Sequence, residues 1–197
     1  MMKVYILDTG YLKTDKNNVV AGSTMCTRSH PQVMHEFYRL PVMCLLIAHD
    51  DGYILYDTGS HPRAMQGYWP TYLQEAYELH QTLEQNLEIQ LAHCGVRVED
   101  IHTVILSHMH FDHTGNLSLF RHAEVYAPRA DFMAAQTAVR VNSDPAAHGG
   151  YLKNDMDVVV KQYHLVDEDF ELLPGLEVIN LPGHTPGLLG LVIHLAN

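Results

Sequence analysis

The sequence predicts an α/β protein in which a sheet is layered against helices. Three observations carry that reading. Strand-like apolar runs alternate with helical patterns, several of those runs stop in turns rich in glycine, aspartate or histidine, and no repeat or low-complexity linker interrupts the alternation. At 197 residues and 47% hydrophobic content the chain is long enough for a real core, and one domain over residues 1–197 is expected.

Residues 3–7 alternate into an apolar strand, and residues 42–48 and 52–56 read as a hairpin turning at Asp50-Asp51-Gly52. The second of these strands ends in Asp57-Thr58-Gly59. Residues 11–41 carry Asn17-Asn18, Gly22-Ser23, Pro31 and Pro41, which break any period, so an extended surface excursion covering a site is expected. Leu79, Leu83, Leu87 and Leu91 recur every four residues before Gly95, which predicts an amphipathic helix packed on the sheet. Asp100 precedes a buried strand over 103–106, and a short helix starts near His113 or Thr114. Residues 123–127 read as a strand, Pro128 opens a helix over 129–139, and 142–150 is a loop of breakers. Further strands are expected at 162–166, 176–181 and 188–194.

Composition narrows the function classes. The formal charge of -11 sets up a field that repels phosphate backbones, and no Lys/Arg cluster opposes it, so nucleic acid is not expected as a partner. The first residues lack an apolar core of signal length, and no stretch approaches the roughly 20 apolar residues of a membrane helix, so a soluble, cytoplasmic protein without a membrane partner is expected. Cys26, Cys44 and Cys94 are odd in number and scattered, which argues against a disulfide framework or a thiolate zinc site and for reduced core residues. Histidine, at 15, is the anomalous count, and eleven of these stand outside any motif as surface or half-buried side chains.

The remaining four are placed differently. His108-Met109-His110-Phe111-Asp112-His113 sets three imidazoles and a carboxylate within six residues, directly after the apolar strand. Imidazole and carboxylate suit zinc and its first-row neighbours, and ligands at the end of a buried strand are held rigidly while facing a cleft. His108 and His110 point the same way if the backbone is extended, while Asp112 and His113 project toward a neighbouring position, a layout that suits two adjacent metals. Far along the chain, Leu181-Pro182-Gly183-His184-Thr185-Pro186-Gly187 fixes a histidine in a Pro/Gly loop after a strand. Alone, His184 reads as a turn residue; in company with the upstream packet it reads as the third ligand of the His108/His110 metal. Asp57, by itself, reads equally as a strand-ending turn aspartate and as a group that orients a ligand histidine.

Taken together, Asp57-Thr58-Gly59, then Ser107-His108-Met109-His110-Phe111-Asp112-His113-Thr114-Gly115, then Pro182-Gly183-His184-Thr185-Pro186-Gly187 resemble the metallo-β-lactamase superfamily, in its motif order and over most of the chain. The N-terminal layout, the 60–80 region and Phe111 inside the motif are most similar to the N-acyl homoserine lactonases. The resemblance implies a four-layer αββα sandwich with a hydrolytic centre of two metals, usually zinc, at one edge of the sheets. It implies that His108, His110 and His184 bind the first metal, Asp112 and His113 the second, and that Asp57 orients a ligand histidine. The substrate would be a small molecule, the lactone ring of an N-acyl homoserine lactone, opened by a metal-activated water with Asp112 passing a proton to the leaving alkoxide. Met25, Met65, Tyr68, Trp69 and Phe111 are the candidates for an apolar groove around the acyl chain.

The family pattern continues past the His184 loop to an aspartate bridging both metals and to a further histidine, and this chain stops at Asn197 before either. A C-terminally incomplete domain is therefore expected, with one metal site better furnished than the other. The rival expectations are another hydrolase on the same scaffold, such as a glyoxalase-type thioesterase, β-lactamase or phosphodiesterase, and a non-catalytic zinc-binding fragment.

Overall fold

The computed structural model describes residues 2–195. In chain order its elements are β1 (Lys3–Asp15), β2 (Phe37–His49), β3 (Gly52–Tyr56), α1 (Thr71–Ala76), β4 (Tyr77–His80), α2 (Leu87–His93), β5 (Ile101–Ile105), α3 (Phe111–Thr114), β6 (Glu124–Pro128), α4 (Arg129–Val141), α5 (Lys153–Met156), β7 (Gln162–Val166), β8 (Phe170–Leu173), β9 (Leu176–Asn180) and β10 (Leu189–Ile193). Seven strands form one sheet in the order β4-β1-β2-β3-β5-β6-β7, and three form a second in the order β10-β9-β8.

Alternation along the strands dictates the layering. On one face of the large sheet Leu46, Leu55, Val104, Leu106, Val125 and Ala127 pack with Leu87 and Leu91 of α2 and Ala135 and Val139 of α4. Their neighbours on the opposite face, Ile47, Ile54 and Ile105, meet Leu176, Val178 and Leu189 of the small sheet. The described residues thus build a mixed α/β fold of three successive layers, helices, large sheet and small sheet, which is the αββ part of the four-layer αββα sandwich expected. A third cluster of Leu12, Trp69, Leu73, Leu79, Phe111 and Leu152 closes the end of the molecule nearest the histidines. No helix among the described residues is long and apolar enough to cross a membrane.

Three expectations are corrected. Residues 11–15 and 37–41 are not loop: β1 and β2 pair from Lys3↔Ala48 to Asp15↔Phe37, leaving 16–36 as the excursion. Pro41 is tolerated because it lies opposite Tyr11, beside the register shift between Asp8 and Tyr11. The four leucines do not share a helix. Leu79 pairs with Leu12 in β4, Leu83 is 69% exposed in a 3-10 turn, and only Leu87 and Leu91 lie on α2. Spacing of four fits a helix, but cross-strand pairing and the Thr82/Gln85 capping box restart the chain between them. Lastly, Cys44 alone of the cysteines is a core residue; Cys26 is exposed and Cys94 half-buried, all three free. α1, β4, β8 and α5 are additional elements that no local pattern announced.

The sheet topology positions the site. β3, β5 and β6 run parallel, so their C-terminal ends share one edge. Asp57 follows β3, Ser107 to His113 follow β5, and Asp131 follows β6 within the first turn of α4. The Leu189 N–H donates to the Ser107 carbonyl at 2.8 Å, which ties the small sheet to the same edge and delivers the His184 loop there.

Candidate metal centre

His108, His110 and His184 converge, each offering a ring nitrogen, with the three atoms within 4.8 Å of one another. Ring centroids are 4.6 Å apart for His108 and His110 and 4.9 Å for each with His184. His184 Nε2 lies 3.2 Å from His110 Nδ1. Burial, with His113, His110 and His184 around it, pushes His108 far below the ordinary imidazole range. Burial likewise lowers His110 to about 4, against the opposing pull of Asp112 and with the other histidines adding to the shift. Both rings are therefore neutral at physiological pH, the form that ligates a metal.

The residues fit a metal on a direct structural test. His108 Nε2 is buried and has no hydrogen-bond partner among the described residues. A buried nitrogen left unpaired costs about 1–3 kcal/mol. Its orientation follows from the other ring atom: the Ser107 hydroxyl donates to Asp57 Oδ2 at 2.8 Å and lies 3.0 Å from His108 Nδ1. With its proton committed to Asp57, Ser107 accepts the Nδ1 proton of His108, so Nε2 carries the lone pair into the cluster. Three imidazoles with one such orphaned lone pair make a zinc-type site with an open position.

Beside the triad stands a second group. Asp57, 3% exposed, accepts from the Ser107 backbone N–H at 2.7 Å with Oδ1, and its Oδ2 lies 2.8 Å from His113 Nδ1. His113 Nε2 lies 3.5 Å from Asp112 Oδ2. Burial alone would lower His113, but Asp112 and the hydrogen-bonded Asp57 outweigh it and push it up to about 9. Asp57 has φ +61°, and no other non-glycine residue among those described has positive φ. That backbone is held in place from both sides, by Asp57 N–H on the Ile105 carbonyl at 2.9 Å and Thr58 N–H on the His113 carbonyl at 2.8 Å. Strain maintained this way belongs to sites where geometry matters more than local comfort.

Gly115 closes the motif for a steric reason. A Cβ there would lie 2.2 Å from His61 N and 2.7 Å from the Ser60 carbonyl carbon, so the Asp57 turn can press against the histidine segment only over a glycine. Asn116 locks the contact by donating to the Thr58 and Ser60 carbonyls at 2.7 and 2.9 Å.

A cavity of about 220 Å³ opens on the triad, lined by His110, Asp112 and His184 and by Leu12, Val19, Leu40, Phe111 and Tyr77. Of the five groove candidates only Phe111 lines it, although it is 3% exposed and packs edge-on to Trp69 at 4.6 Å and to Tyr77 at 5.1 Å. Trp69 is buried in that cluster and Met65 packs against it. Tyr68 stacks on His61 at 3.6 Å and donates to Asp155 without lining the cavity, while Met25 is 72% exposed on the 16–36 segment. The rest of the apolar wall is supplied by Leu12 of β1, Val19 of the 16–36 segment, Leu40 of β2 and Tyr77 at the start of β4. Asp131 and Tyr151, both close to the histidine segment, carried no sequence signal: Asp131 reads as an ordinary first-turn acid of α4.

Fold and site together define a metal-dependent hydrolase scaffold. The model of the metallo-beta-lactamase superfamily matches residues 37–197, and the chain belongs to that superfamily. It is 34% identical to the N-acyl homoserine lactonase AiiB of Agrobacterium fabrum over 98% of this chain and 72% of that protein. To an N-acyl homoserine lactonase of a Bacillus species it is 30% identical, over 97% of this chain and 70% of the other. Among solved structures, a variant of Bacillus thuringiensis AiiA with N-decanoyl-L-homoserine at its active site superimposes with TM-score 0.78 at 25% identity, covering 97% of this chain and 70% of that one. An N-acyl homoserine lactone hydrolase with N-hexanoyl-L-homoserine at its catalytic metal centre gives TM-score 0.77 at 26% identity, with the same coverage.

Proposed function

We propose that the chain is a zinc-dependent hydrolase that opens the lactone ring of N-acyl homoserine lactones. The observation that carries this reading is the adjacency of the three-histidine cluster, with its orphaned His108 Nε2, to a cavity whose other wall is aliphatic and aromatic. An acyl homoserine lactone has those two ends, a polar ester ring and an apolar chain. Among the described residues no Lys or Arg lines the cavity, which disfavours a phosphodiester. The similarity to lactonases from two bacterial groups supports the same substrate class.

In this reading His108, His110 and His184 hold one zinc ion, and Asp112 and His113 offer a carboxylate and an imidazole for a second. When bound, zinc supplies Lewis acidity and brings the pKa of water to about 7, so no Ser or Cys nucleophile is required. Asp57 fixes the His113 ring through Nδ1 and, through Ser107, the tautomer of His108. Asp112 lines the cavity and is placed to take the proton of the attacking water and return it to the ring oxygen as the ester C–O bond breaks. Leu12, Val19, Leu40, Phe111 and Tyr77 keep water from the chain end of the substrate.

The test is a substrate panel on the zinc-loaded chain: an N-acyl homoserine lactone, a thioester, a β-lactam and a phosphodiester. Lactone turnover is expected to lead and to vanish in His108→Ala and Asp112→Ala. A thioester preference would move the assignment to a glyoxalase-type enzyme, and stoichiometric zinc without any hydrolysis would make the domain a binding module.

A further inference from the structure

Asp131 is fully buried, yet forms no ion pair among the described residues. Its Oδ2 accepts from the backbone N–H of Met109, the residue between His108 and His110, at 2.7 Å. Its Oδ1 accepts from the hydroxyl of Tyr151, whose ring centroid lies 5.1 Å from that of His110. The neighbouring Gly150 carbonyl accepts from the Phe111 N–H at 3.0 Å, so the 150–151 segment is docked along the histidine segment.

The third strand of the cluster reaches the same carboxylate. Thr185 lies beside Asp131, and its hydroxyl donates to the Gly187 carbonyl at 2.7 Å, closing the loop just after His184. Gly187 sits directly on the first turn of α4: a Cβ there would be 3.0 Å from Pro128 Cβ and 3.4 Å from Asp131 N. One buried side chain therefore touches the backbone between two of the histidines, the aromatic ring against the second, and the loop that carries the third.

We propose that Asp131 is the positioning residue of the triad, clamping the His108/His110 segment, Tyr151 and the His184 loop in the arrangement that binds zinc. A buried carboxylate is costly unless its lone pairs are used. Here burial raises the Asp131 carboxyl above its ordinary value, while the bonds from Tyr151 and Met109 and the nearby His184 oppose the rise. A neutral side chain would be the cheaper way to tie one loop to a helix. What the carboxylate adds is two acceptor oxygens aimed at donors on different segments, which an amide of the same shape cannot supply. Asparagine would put an NH₂ group against either the Met109 N–H or the Tyr151 hydroxyl. The proposal rests on the triad holding a metal and is independent of which ester the protein hydrolyses.

The experiment measures zinc affinity by chelator competition and the visible spectrum of the cobalt-substituted protein, in the full 197-residue chain. Asp131→Asn is expected to weaken zinc binding about 10- to 100-fold, the range for partners that orient metal ligands, and to shift the cobalt bands. Tyr151→Phe, which keeps the carboxylate, is expected to weaken binding by less but to shift the cobalt bands in the same direction. Val139→Ala, buried eight residues further along the same helix, should lower thermal stability while leaving affinity and spectrum unchanged. If Asp131→Asn fails to fold, Tyr151→Phe decides alone. Zinc affinity within about twofold of the parent and an unshifted cobalt spectrum would overturn the clamp, whatever happens to the melting temperature. Absence of tight zinc binding by the unaltered chain would remove its premise, and that result is distinct from a failure of lactone turnover.

Discussion

Asp155 holds its proton more tightly in the fold than in the unfolded chain, and the consequence is measurable. The side chain is 1% exposed and accepts from the Tyr68 hydroxyl and from Thr114 Oγ1 at 2.9 Å. Those two bonds favour the carboxylate, but burial outweighs them and raises the group from 3.8 to about 6. A folded value above the unfolded one means that the stability linked to this proton is fully present below about pH 3.8 and is lost as pH rises through about 6. The gap corresponds to about 3 kcal/mol, so above pH 7 the native protein carries a buried carboxylate at roughly that cost. Asp155→Asn is neutral at every pH. Losing one acceptor for two hydroxyls gives the variant a penalty of about 1–3 kcal/mol, but one that does not vary with pH.

Urea unfolding of the metal-free wild type and variant at pH 4, 5, 6 and 7, followed by circular dichroism, isolates the term. The variant's stability relative to wild type should improve by about 2.4 kcal/mol between pH 4 and pH 7, nearly all of it between pH 4 and 6.5. Contributions from every other titrating group cancel in the difference. A difference that stays flat across that window, or that runs the other way, would show that Asp155 is ionised in the native state at low pH and that solvation, not burial, governs it.

Three further outcomes follow from the site. In the metal-free chain the His113 contribution, with the ring raised to about 9 by Asp112 and Asp57 against burial, is fully present below pH 6.5 and is lost as pH rises through about 9. Asp57→Asn should flatten the corresponding fall in melting temperature between pH 6.5 and 9, and an unchanged slope would remove Asp57 as its cause. Gly115→Ala drives a methyl group into the backbone of Ser60 and His61 and should destabilise by about 3 kcal/mol in urea, whereas a cost below about 1 would mean the Asp57 turn moves freely. Zinc at 100 times its dissociation constant should add about 2.7 kcal/mol to unfolding, and His108→Ala should abolish that increment in a thermal-shift titration.

Much of the site was legible because its chemistry is local. Strand, turn and ligands follow one another within residues 101–115, and periodicity plus residue type suffice to read them. β7 falls on the boundaries that its pattern indicated, and β9 and β10 within a residue or two. Where periodicity misled, a remote partner had overruled it. Leu79 has the spacing of a helix but pairs with Leu12, and residues 11–15 alternate buried Leu12 and Thr14 with half-buried neighbours only because β2 and β4 flank them. The groove candidates other than Phe111 stay out of the cavity for the same reason: Trp69 and Met65 pack with Phe111 in the core cluster, and the rest of the cavity's apolar wall comes from Leu12, Val19, Leu40 and Tyr77.

The chain's linear order alone determined that four imidazoles and two carboxylates follow strand ends, and so that a metal-binding hydrolase of this superfamily was the expectation. Tertiary structure decided the rest: that Asp57 adopts a left-handed backbone to face His113, that His108 Nε2 is left without a protein partner, and that Asp131, 22 residues from Met109, holds its N–H. Ligand identity is a property of residue type and neighbours, which sequence displays. Orientation depends on which strands lie parallel and where their ends meet, and that is set by the register of contacts between distant segments, for which no local pattern stands in.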